Sequence, residues 1–94
     1  MPVGIVWYRA EDYDRLKAMF TDGRKLPDTF ESWLESAHNV YDMLTRRGFV
    51  IVKAYLDPDT FPGWCRARGM KMNAKARSHF GSDYAAKHHP AKGH

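Results

Sequence analysis

A chain of 94 residues with 44% hydrophobic and 28% charged residues has the composition of an ordinary globular protein and is too short to divide into several cores, so one domain is expected. Its longest aliphatic or aromatic run, Phe49 to Val52, is far below the ~20 residues of a membrane helix, and charges spread through residues 1–20 leave no uncharged stretch for a signal peptide. The formal net charge of +4 is unevenly placed: residues 1–63 carry −2, whereas residues 64–94, with seven Lys/Arg against Asp83 alone, carry +6.

Along the chain, Val3, Ile5 and Trp7 alternate with Gly4, Val6 and Tyr8, which predicts a strand from about Val3 to Arg9. Glu11, Asp12 and Asp14 then place negative charge at a helix start. Tyr13, Leu16 and Phe20 share one face of that helix, and Gly23 ends it. After Pro27, Asp28 with Glu31 resembles a capping box. Phe30, Trp33, Leu34, Ala37, Tyr41 and Leu44 form the apolar stripe of a longer helix that closes at Arg46, Arg47 and Gly48. Phe49 to Leu56 reads as a second strand, with Val50, Val52, Ala54 and Leu56 on one face. Thr60 is placed to cap a short helix over Phe61–Arg68, with Pro62 harmless in its first turn and Gly69 as its stop. Asn73 is placed to cap a last helix carrying Ala76, Phe80 and Tyr84, before Pro90 ends regular structure and the final residues fray.

The order is βααβαα, a small two-layer α+β domain over residues 1–89, with 90–94 as a tail. Two strands alone make a poor sheet, so helices should cover one face, and a homodimer joining two ribbons would enlarge it. A domain of this length buries only roughly 60 to 65 percent of its unfolded surface, which also favours a partner.

The chemistry-bearing residues are few. Cys65 lies near a helix start beside Arg66 and Arg68, a setting that can activate a thiolate, but no local base or orienting carboxylate accompanies it. Packing beside Trp64 is the favoured reading, and an enzyme using Cys65 ranks last. A lone cysteine fits a reducing cytoplasm. His79, His88, His89 and His94 could collect metal ions adventitiously but match no zinc-finger spacing, and the isolated glycines fit no phosphate-binding loop, so no metal or cofactor is expected. Asp57 and Asp59 flank Pro58 as a turn does.

Arg66, Arg68, Lys71, Lys75 and Arg77 span a helix–turn–helix-like length and form the candidate anion-binding or nucleic-acid-binding set. A solvated basic face is the plain alternative for the group. Arg77, lying between Ala76 and Phe80, has the further alternative of bracing the domain through a carboxylate.

Asp57-Pro58-Asp59, Phe61, Trp64-Cys65 and Arg68-Gly69, followed by Ala76-Arg77 and Phe80, resemble a segment of small bacterial proteins of uncharacterised function. The resemblance implies a bacterial or phage origin and brings no activity to these residues. The expected function is a non-catalytic interaction module for a protein or nucleic-acid partner, with nucleic-acid binding through the basic region as the named alternative.

Overall fold

The computed structural model describes residues 2–88 and has the order β1 (Pro2–Trp7), α1 (Tyr13–Met19), α2 (Phe30–Arg46), β2 (Val50–Tyr55), α3 (Phe61–Ala67) and α4 (Ala74–His88). This is the mixed βααβαα arrangement, with short 3-10 turns before and after α1. The expected tail at 90–94 lies outside the described residues.

The two strands are parallel and in register from Pro2 opposite Val50 to Trp7 opposite Tyr55. Parallel pairing requires a long crossover, which α1 and α2 provide. Residues paired across the strands share a face, so Gly4 and Val6 lie on one face with Val52 and Ala54, and Ile5 and Trp7 on the other with Lys53 and Tyr55.

Helix α4 covers the first face, and α2 adds cover to the second, so the ribbon is held from both sides rather than one. Under α4 the backbones nearly touch: a Cβ built on Gly4 would lie 1.8 Å from the Gly81 carbonyl oxygen, and one built on Gly81 2.8 Å from that of Gly4. Only a glycine pair allows helix and strand to approach this closely. On the second face Trp7 meets Trp33 and Tyr41 edge-on, with ring centroids 5.2 and 6.2 Å apart. The ammonium of Lys53 lies 4.3 Å from the Trp7 ring centre and 5.1 Å from that of Tyr41, so its charge remains on the aromatic rim.

The core gathers where the strands end. Trp7, Tyr8, Tyr13, Leu16, Phe20, Leu56, Phe61, Cys65 and Ala76 are buried in one cluster with Trp33 of α2. The α2 stripe packs as its spacing predicts, although only Trp33 is fully buried, while Leu34, Ala37, Tyr41 and Leu44 are half-buried. The cap of α2 is Thr29 rather than Asp28. Thr29 is extended, and its hydroxyl accepts from the Ser32 N–H at 3.1 Å, so the cap lies one residue beyond the expected capping box.

Helices α2 and α3 close with the same hydrogen-bond pattern. Gly48 and Gly69 take left-handed φ values of 91° and 65°, and the N–H groups of Phe49 and Met70 reach back to the carbonyls of Leu44 and Cys65. Thr60 occupies the N-cap position of α3 without a side-chain cap bond, while the Asp57 carboxylate accepts from the Asp59 N–H and shapes the turn. Asn73 caps α4 as expected, accepting from the Ala76 N–H at 3.1 Å.

Candidate functional site

The basic residues separate into two kinds. Arg77 is largely withdrawn from solvent, and its guanidinium donates two bonds to the Asp22 carboxylate, at 2.8 and 3.2 Å, while lying over the Phe20 ring. Asp22 also accepts from the Ala74 N–H at 3.0 Å, so one carboxylate fixes both Arg77 and the first turn of α4. The Arg77 hydrogen bonds hold the Asp22 carboxyl below the ordinary carboxylate range. Burial pushes the nearby Tyr8 phenol up to about 12, with Arg77 opposing. Of the readings open for Arg77, its pairing with Asp22 matches the brace.

Arg66, Arg68, Lys71 and Lys75 are exposed around the α3–α4 turn. Arg68 is partly engaged: its guanidinium donates to the Trp64 carbonyl at 3.1 Å and lies 4.1 Å from the Trp64 ring centre. Helix α4 packs one side on the ribbon and another, through Phe80, on Phe61 and Trp64, and its first turn is capped by Asp22 and Asn73.

Cys65 is buried, and burial pushes its thiol above the ordinary range, against the direction an activated thiolate requires. Among the described residues no cluster of three or more His, Cys, Asp or Glu is placed to hold a metal ion, and no helix is long and apolar enough to cross a membrane. His79 packs edge-on against Trp64 and His88 stacks on Tyr84; the expected contributions of His89 and His94 lie outside the described residues.

A second feature is built from backbone. The Leu56 N–H donates to the Trp7 carbonyl across the ribbon, so Val3, Ile5 and Trp7 direct their peptide groups toward β2, and the alternating residues Gly4 and Val6 direct theirs away from it. Among the described residues no strand meets that outer edge. Two clefts follow it and share Gly4. One, of about 370 Å³, is lined by Gly4, Ile5 and Val6 with Ala74, Arg77 and Ser78. The other, of about 310 Å³, is lined by Pro2, Val3 and Gly4 with Ser82, Ala85 and Ala86. A groove therefore runs between the strand edge and the small-residue side of α4. The glycine interrupting the β1 pattern was its signal in the sequence, because an isolated glycine in a strand often marks a close backbone approach.

The outer edge of β2 is likewise met by no strand among the described residues, while on the second face Lys53 lies over two rings and the exposed Tyr55 ring lies under the Arg9 guanidinium at 4.6 Å.

Comparison with protein-family models, with curated proteins and with solved structures finds no match to this chain.

Proposed function

We propose that this protein is a non-catalytic interaction module of the cytoplasm that takes up an extended segment of a partner protein along the outer edge of β1. The observation that carries this reading is the outer edge of β1, met by no strand among the described residues and followed by two adjacent clefts beneath α4. Free peptide groups at regular spacing supply affinity for an added strand, and the groove walls supply selectivity. A ribbon of two parallel strands also gains most from a third, since parallel sheets are ordinarily larger and covered.

Selection from a phage-displayed peptide library, followed by amide-resolved hydrogen exchange, tests the proposal. Selected peptides should slow exchange at Gly4 and Val6. Peptides that bind but protect only residues elsewhere, or a library that yields no binder, would overturn it.

The exposed cations Arg66, Arg68, Lys71 and Lys75 favour a second reading, an anion-binding face whose strongest form contacts nucleic-acid phosphates. Duplex DNA affinity would then fall with salt at a logarithmic slope of roughly −0.9 per neutralised phosphate. Fluorescence anisotropy with duplex and single-stranded oligonucleotides decides it, and absence of binding at low salt removes this reading.

A further inference from the structure

We infer that the occupant of the β1 groove is a lone extended strand of another protein, with small side chains on the face beneath α4, and not the sheet of a second copy; this rests on the edge reading above. Helix α4 stands directly on β1, because the Gly4 and Gly81 backbones are in contact, and its Ala74, Ser78, Ser82 and Ala86 project on the edge side, where they wall the clefts. In a symmetric antiparallel pairing of two β1 strands, both α4 helices would share one face of the joined sheet. The strands would lie ~4.8 Å apart, whereas packed helices keep their axes ~8–10 Å apart. Two helices each seated on its own β1 would collide. A strand that brings no helix on that face avoids the collision.

The groove also states the chemistry of its occupant. Gly4 and Val6 each offer an N–H and a C=O, while Pro2 has no N–H to give, so backbone pairing centres on Gly4 to Val6. Side chains of the added strand alternate between two surroundings. Those beneath α4 meet the alanine and serine side chains of α4 close to the strand, with Arg77, held by Asp22, at the Val6 end, a setting that suits Gly, Ala or Ser. Those on the opposite face lie beside Val3 and Ile5, both half-buried, where β-branched residues pair well.

Two blocked synthetic octapeptides test this, one alternating Ser with Val and the other Tyr with Val, each carrying terminal Asp residues for solubility. They are titrated into the isotope-labelled full chain and followed by amide NMR, with sedimentation run in parallel. The Ser/Val peptide is expected to shift the Gly4 and Val6 amides and to bind at least about tenfold more tightly than the Tyr/Val peptide, as overpacking beneath a helix would demand. Equal binding of both peptides at Gly4 and Val6 would overturn the inference and leave the edge reading standing. Failure of both peptides to move those amides would overturn the inference and the edge reading together. Concentration-dependent dimers with Gly4 and Val6 protected would name a second copy as the occupant and overturn the inference alone.

Discussion

The two ends of the β-ribbon are built on opposite terms. Where the strands finish, Trp7, Tyr8 and Leu56 are buried among the aromatic rings of α1, α2 and α3, and Leu56 has no exposed surface. Where the strands begin, Pro2 and Val3 are half-buried, Val50 is 49% exposed, and Phe49, Val40 and Met43 are exposed nearby in sequence or on the α2 end that leads into β2. The strands are continuous across both ends, so backbone pairing does not explain the contrast. Side-chain cover does: α1, α3 and the bulky first half of α2 supply cover at one end only, and at the other the ribbon relies on the Gly4–Gly81 contact. Stability and availability for binding are thus separated along one short sheet.

Truncation at the packed end should break the comparison most severely. Phe61 is 1% exposed and meets Phe20, Trp64 and Phe80, so Phe61→Ala should cost about 4 kcal/mol, read as a lower urea midpoint. Leu34, half-buried on α2, should lose clearly less on truncation, and equal losses at both positions would mean that the core extends further along α2 than burial implies.

Gly4→Ala comes next at about 3 kcal/mol, because the added methyl would lie 1.8 Å from the Gly81 carbonyl oxygen and α4 must move away from the ribbon. Thermal melts measure this loss, and Gly81→Ala should lose less, since alanine regains about 1 kcal/mol of helix propensity. A neutral Gly4→Ala would show that α4 is not seated on the strand.

Asp22→Ala should cost about 2 kcal/mol by leaving Arg77 without its partner and the first turn of α4 without one cap. The pH dependence has a defined sign. The Asp22 carboxyl is lowered on folding, so its contribution is complete above the ordinary carboxylate range and is lost as pH falls through and below that range. The gap between wild type and Asp22→Ala in urea melts should therefore narrow as pH falls from 7 through and below the ordinary carboxylate range, and a gap that stays constant would dismiss the pair as a stabilising element.

The smallest effect is expected at the open end, where Val50→Thr should alter stability by no more than about 0.5 kcal/mol by the same melts. A larger loss would place Val50 in an interface already present in solution.

Much of this arrangement is legible in the residues. The α2 stripe from Phe30 to Leu44 follows helical spacing, and the alternation in both strands marks their faces, because burial imposes those periods locally. The position of the α2 cap is not settled by periodicity, since Asp28 and Thr29 are both competent caps and the choice depends on which adopts the extended backbone. The site was less legible. Arg77 belongs by spacing to the basic set, and what engages it is Asp22, 55 positions away and brought close only by the fold. The β1 groove depends on the docking of α4, which no local pattern near Pro2 to Val6 announces beyond Gly4 itself.

The register of the ribbon also sets a timetable for its making. Pro2 pairs with Val50, and Gly4 waits for Gly81 in α4, the last element of the domain. At roughly 5 to 20 residues per second, β1 leaves the ribosome seconds before either partner exists. Its apolar residues have no native cover during that interval, and the aromatic core cannot close until Phe61, Cys65 and Ala76 have followed. The domain therefore closes only once the chain has been made through α4, and β1, the earliest of its elements, is the last to be enclosed.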